Sequence, residues 1–129
     1  MRGVFLVFVL GLAACDSNGP TMRPGENCNG CHGNFSAAGT VFPSDQAGAG
    51  EGINGVTVSL VDSNQKTVTL TSNSAGNFYA SQAVAWPADI TLTLGTRTAV
   101  MPKAPNGACA TCHTTSTSTS GQGRVFLAP

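Results

Sequence analysis

The sequence predicts an all-β sandwich, and three observations carry that reading. Val56, Val58 and Leu60 alternate with Thr57, Ser59 and Val61; Val68 and Leu70 alternate with Thr67, Thr69 and Thr71; Ile90, Leu92 and Leu94 alternate with Thr91 and Thr93. Successive side chains of a strand point to opposite faces, so this period lays one apolar row on one side of a sheet. Turn-forming clusters separate the runs, Asp62-Ser63-Asn64-Gln65 and Ser72-Asn73-Ser74-Ala75-Gly76-Asn77, and no helical stripe lies between them. The composition agrees: 16 glycines among 129 residues, with Ser, Thr and Val abundant, favour strands and turns over helices.

The chain is long enough for one small domain. Only 9% of its residues are charged and six basic residues balance six acidic ones, so no basic patch of the kind that binds nucleic acid is visible. Aromatic residues make up only 6% of the chain. A small domain with so few large apolar groups buries little surface and commonly needs a covalent or metal staple.

Residues 1–14 read as a leader rather than as part of the fold. Arg2 precedes the apolar run Val4 to Leu12, which is too short to span a bilayer as a permanent helix. Leu12-Ala13-Ala14-Cys15 resembles the lipobox of bacterial lipoprotein signal peptides. That resemblance implies cleavage before Cys15, lipid on Cys15, and an exported chain anchored to a bacterial membrane on its periplasmic or cell-surface side. The alternative is an ordinary secretory peptide that leaves Cys15 as a thiol. Asp16 to Asn27 is polar and rich in Gly and Pro, and reads as a flexible tether.

Residues 28–129 form the domain. Cys28-Asn29-Gly30-Cys31-His32 opens it. Gly39-Thr40-Val41-Phe42 follows as a short strand, and Pro43 to Gly52 as a loop. The alternating strands occupy the middle, with Phe78-Tyr79-Ala80 among them and Trp86-Pro87-Ala88-Asp89 breaking the pattern. Cys109-Ala110-Thr111-Cys112-His113 comes next. The Thr/Ser run Thr114 to Ser120 reads as an exposed link, and Gly123-Arg124-Val125-Phe126-Leu127 as a closing strand. Each Cys motif is thus followed by a polar stretch and then by Gly-x-Val-Phe.

C-x-x-C-H is the sequence signature of covalent c-type haem attachment. Two cysteine thiols add to the haem vinyl groups, and the adjacent His ligates the iron. The chain has five cysteines; four fill two such motifs and Cys15 is taken by lipid, which leaves none over. Both histidines of the chain, His32 and His113, stand in the motifs. The expectation is therefore two haem c groups, bonded to Cys28 and Cys31 and to Cys109 and Cys112. Two zinc knuckles built from the same cysteines, or a pair of disulfides, would leave the twin histidines unexplained. A thioredoxin-like redox site needs a βαβ setting that the pattern lacks.

No third His exists to serve as a sixth ligand. Past the leader two methionines remain, Met22 and Met101, and a Met thioether is a common axial partner that raises the reduction potential relative to His. Either could instead be an ordinary tether or strand residue. Lys103 and Tyr79 are weaker candidates. Trp86 reads as a packing residue.

The middle of the chain also resembles the transthyretin-like, carboxypeptidase-regulatory-like β-sandwich. Gly55-Val56-Thr57-Val58-Ser59-Leu60, the Asp62 turn and Thr71-Ser72-Asn73-Ser74-Ala75-Gly76-Asn77-Phe78 carry that resemblance, over roughly residues 38–101. It implies a fold and no catalytic residues.

These readings converge on a membrane-anchored dihaem cytochrome that passes single electrons between redox protein partners and is not an enzyme. A haem-stacked assembly of copies of the chain is one alternative. A sensor or peroxidase with an open iron site is another, although no His, Glu or Arg arrangement marks a peroxidase pocket. Removing Arg2 with the leader leaves five basic against six acidic residues, and haem propionates would add negative charge. A docking partner is then expected to present basic groups.

Overall fold

The computed structural model describes residues 19–21, 23–114 and 122–129. The expected leader, Cys15, Met22 and residues 115–121, which hold all of the Thr/Ser run but Thr114, lie outside them. The described strands are β1 (Ala37–Thr40), β2 (Thr57–Val61), β3 (Thr67–Thr71), β4 (Asn77–Ala80), β5 (Ala88–Leu94) and β6 (Arg97–Ala104). They form two antiparallel sheets, a β1–β4 ribbon and a four-stranded sheet in the order β3-β2-β5-β6. The expected all-β architecture of packed sheets is the one found.

Alternation is what joins the sheets. Val58 and Leu60 of β2 and Val68 of β3 are almost wholly buried, and Ile90 and Leu92 of β5 nearly so. They share one core with Ala37, Val41, Phe78 and Ala80 from the ribbon side. The register places Leu60 between Val68 and Ile90, so one apolar row runs across three strands. Each fully buried Val or Leu side chain stabilises the fold by roughly 1.5–3 kcal/mol. Trp86 packs at the edge of this core as a partly buried residue. Among the described residues, no helix is long and apolar enough to cross a membrane.

Three boundaries differ from the sequence reading. β1 starts at Ala37, two residues before the expected Gly39, because Ala37 and Ala38 already pair with Ala80 and Tyr79. The expected Gly123–Leu127 strand pairs only through an isolated parallel bridge from Phe126 to Phe42, with Phe42 N–H donating to Val125 and Leu127 N–H donating to Phe42. β6 was not foreseen at all. It follows β5 through the two-residue loop Gly95-Thr96, with Gly95 at φ +61°, where a glycine suits a tight hairpin. As an edge strand it is mostly exposed and carries Pro102, so its sequence shows no clean apolar alternation.

The β1–β4 ribbon has two different faces. Ala37, Ala80 and Phe78 point to the core, whereas Ala38 and its partner Tyr79 point outward. The N-terminal segment covers that outer face. The Pro20 carbonyl accepts from Asn73 and Asn77 side chains, at 2.6 and 3.1 Å. Gly25 N–H donates to the Thr40 hydroxyl at 2.8 Å, and that buried hydroxyl donates to Asn77 Oδ1 at 2.7 Å. These bonds fix Pro20 and Gly25 to the sandwich, within the stretch read as tether.

Asp62 knots the β2–β3 turn. Its carboxylate accepts from the backbone N–H groups of Asn64, Lys66 and Ala85, at 2.9, 2.9 and 3.1 Å. The Ala85 and Lys66 donors are the main causes that hold its pKa below the ordinary value. A depressed folded-state pKa gives stability that is fully present above the ordinary carboxyl pKa and is lost as pH falls through the lower folded-state value. Asp62→Ala is therefore expected to lower the urea unfolding midpoint most near neutrality, with the gap to wild type closing as the pH falls below about 4. Urea titrations of both proteins across that range check the sign; a gap that widens in acid would refute it.

Candidate functional site

The two Cys motifs adopt the same local structure. Each is a single 3-10 turn, over Cys28–Gly30 and Cys109–Thr111. His32 N–H donates to the Cys28 carbonyl and His113 N–H to the Cys109 carbonyl, both at 2.9 Å. Cys31 and Cys112 end their turns with closely matching backbone angles, φ −113° and ψ −31° against φ −111° and ψ −36°. Asparagines set up both turns: the Asn27 side chain accepts from Asn29 N–H, and the Asn106 side chain from Ala108 N–H. In a 3-10 turn the side chains at i and i+3 lie on one side, so each turn presents its two sulfurs in the same direction, with the His following at once.

The second turn lies at the free edge of β1. Ala38 N–H donates to the Gly107 carbonyl at 2.8 Å, and Ala38 bridges Ala108. The approach is so close that a Cβ on Gly107 would stand 2.0 Å from the Ser36 carbonyl oxygen. A Cβ on Gly39, which would point to the core side like its neighbour Phe78, would meet Cys109 Cβ at 3.0 Å. Cys109 thus lies on the inner side of β1. Burial pushes its thiol pKa up to about 12.

Beside this turn lies an apolar cavity of about 520 Å³. Phe78, Ile90 and Leu92 line it from the core, Met101 from β6, and Cys109, Cys112 and His113 from the turn. Its size is that of a cavity for a substantial organic ligand. His113 has a neighbour at each ring nitrogen: Nδ1 is 3.1 Å from the Gly123 carbonyl oxygen, and Nε2 is 3.4 Å from Met101 Sδ. A carbonyl only accepts, so in the neutral ring Nδ1 carries the proton and Nε2 bears a lone pair. That lone pair and the thioether sulfur, both electron-pair donors, face each other at the cavity.

The first turn belongs to the outer face of the ribbon. His32 stacks on Phe35 with centroids 4.6 Å apart, and Phe35 stacks on Tyr79 of β4 at 4.8 Å. Asn29 Nδ2 donates to the Phe35 carbonyl, while Asn29 Oδ1 is buried without a hydrogen-bond partner. Burial is the largest cause that raises the Cys28 thiol pKa. Cys28, Cys109 and Cys112 are outside any disulfide, and Cys31 is half of one.

No family model matches the chain, and no curated protein or solved structure matches it significantly. The site therefore rests on its own geometry. Among the residues expected from sequence, the structure brings Met101, Cys109, Cys112 and His113 to one cavity and sets His32 in the stack with Phe35 and Tyr79, while the turn that holds Cys28 contacts β1. Met22 and Cys15 lie outside the described residues. Tyr79 stands in the aromatic stack at the first turn. Lys103 is exposed, and its backbone N–H donates to Asp89 Oδ1. Among the described residues, no three His, Cys, Asp or Glu side chains converge as a metal-ion site.

Two participants escaped the sequence reading. Gly123 acts through a carbonyl, which no side-chain pattern advertises. Phe35 stands three residues after His32, at a spacing where an aromatic neighbour could have been noticed.

In the protein without cofactor, Cys109 is expected to resist iodoacetamide at about pH 8, while the exposed Cys112 is labelled first, because the thiolate is the reactive form. Peptide mass analysis of native against urea-unfolded protein checks this order. Equal labelling of both in the native state would contradict the burial of Cys109.

Proposed function

We propose that the chain is an exported, lipid-anchored c-type cytochrome that carries two haems and passes single electrons between redox protein partners. One observation carries the reading. Beside the second C-x-x-C-H turn, His113 Nε2 and Met101 Sδ converge on an apolar cavity with the proton of the ring directed away, to Gly123. A His held by a carbonyl at its other nitrogen is the usual posture of a metal-ligating imidazole. Two thiols, an imidazole, a thioether and apolar walls are the donors and surroundings that a covalent haem uses.

At the second turn the residues fit the group: Cys109 and Cys112 would carry it, and His113 and Met101 would hold its iron. At the first turn Cys31 is half of a disulfide, so attachment there requires that bond to be reduced first by an external thiol.

Haem iron supplies the one-electron chemistry. The chain's own residues set its conditions: Met101 raises the potential, the Gly123 carbonyl fixes the tautomer of His113, and Phe78, Ile90 and Leu92 exclude water.

The mature chain made with cytochrome maturation machinery is expected to gain the mass of two haems that survives denaturation, with a matching pyridine haemochrome spectrum. No covalent haem would end this reading. Met101→Ala is expected to abolish the sulfur-to-iron charge-transfer band and to lower the midpoint potential of one haem while the other is unchanged. An unaltered spectrum and titration would remove Met101 as a ligand.

A further inference from the structure

The cavity beside the second turn gathers donors of one chemical kind. His113 Nε2 and Met101 Sδ stand 3.4 Å apart. Bonds of about 2.0 Å from nitrogen and about 2.3 Å from sulfur to a single ion give that spacing when they meet at about 105°, close to the tetrahedral value. The Gly123 carbonyl at Nδ1 fixes the ring and leaves the Nε2 lone pair toward the sulfur. Cys112 ends the same turn one residue before His113 and lines the same cavity. Among the described residues that line it there is no Asp or Glu, and its walls include Phe78, Ile90, Leu92 and Val125. A thioether among the donors sets this group apart from three converging His, Cys, Asp or Glu side chains, of which the described residues hold none.

We propose that, in the chain whose second motif carries no haem, His113, Met101 and Cys112 form a site for a soft monovalent metal ion, copper(I). The proposal goes beyond the cytochrome reading and does not rest on it. Thioether and thiolate sulfur favour copper(I) over the harder divalent ions, and imidazole suits it as well. Charge leads to the same ion. Binding releases the Cys112 proton to solvent, and one thiolate with a monovalent ion is neutral, which suits apolar walls. A divalent ion on the same three ligands would leave a net positive charge among those walls. The metal stays copper(I) throughout, so no oxidant or reductant takes part. The same side chains would serve a covalent haem, so the ion and the haem exclude each other at this motif.

The test titrates copper(I), kept reduced and free of oxygen, into the mature chain made without cytochrome maturation machinery, in competition with the coloured chelator bicinchoninate. The chain is expected to hold copper(I) against the chelator. Met101→Leu, which keeps the apolar bulk, and His113→Ala are each expected to weaken that retention about tenfold or more. X-ray absorption at the copper edge of the wild-type complex is expected to show an imidazole nitrogen together with sulfur. Equal retention by wild type and both variants, or coordination by sulfur alone, would assign the copper to cysteines without His113 and Met101 and overturn the proposal. So would a failure to retain copper, or its displacement by an equal concentration of zinc. If a variant does not fold, the absorption spectrum of the wild-type complex decides alone. None of these outcomes bears on covalent haem, whose absence after maturation would overturn the cytochrome reading and leave this site in place.

Discussion

Burial of β1 on both faces is the constraint on which the rest of the structure depends. Ala37, Ala38, Gly39 and Thr40 have almost no side-chain bulk to offer. Ordinary strands stabilise a sheet by packing large apolar groups; this one does so by letting other elements come close. The inner approach is measured by the 3.0 Å that would separate a Gly39 Cβ from Cys109. The outer approach is held by polar bonds, with the buried Thr40 hydroxyl both accepting from Gly25 and donating to Asn77. A buried hydroxyl in such a chain costs little, since its hydrogen-bonding capacity is used.

The two turns are alike as local structures and unlike in surroundings. Each is a 3-10 turn set up by an asparagine, which follows from the same spacing and the same short-range chemistry. The second turn then faces a cavity, and its His is oriented by a carbonyl 10 residues away. The first turn faces an aromatic stack, and its His is positioned by ring contacts with Phe35 and, through it, Tyr79. Identical motifs thus have different polar and steric environments, and in a metalloprotein such differences in second contacts and burial separate the properties of otherwise identical centres.

Much of the sandwich was legible beforehand, because period-two alternation in 56–61, 67–71 and 90–94 is a local signal that burial then uses directly. Phe78-Tyr79-Ala80 was legible for the same reason. β6 was not: its exposure and Pro102 erase the alternation that would have marked it, and its existence depends on hydrogen bonds to β5. Gly39-Thr40-Val41-Phe42 and Gly123-Arg124-Val125-Phe126, alike in sequence, meet only through one isolated parallel bridge between Phe42 and Phe126, and the second does not enter the sheet as a strand. The motif residues of the candidate site could be named from spacing alone. The pairing of Met101 with His113 rather than His32 could not, because spacing along the chain carries no information about which face of a sheet a turn will cover.

The sequence by itself determined the chemistry available to this protein: two C-x-x-C-H units, two candidate thioethers, and strands whose alternation demands a two-sided core. These are properties of residue type and short-range order, and they do not depend on how the chain closes. Tertiary structure decided which donors meet. It brought Met101 within 3.4 Å of His113, set Nδ1 of that ring against the Gly123 carbonyl, and brought both cysteine turns into contact with a strand of small residues. Those outcomes depend on the register of β5 with β6 and on the two faces of the ribbon, which arise only when distant segments pack together.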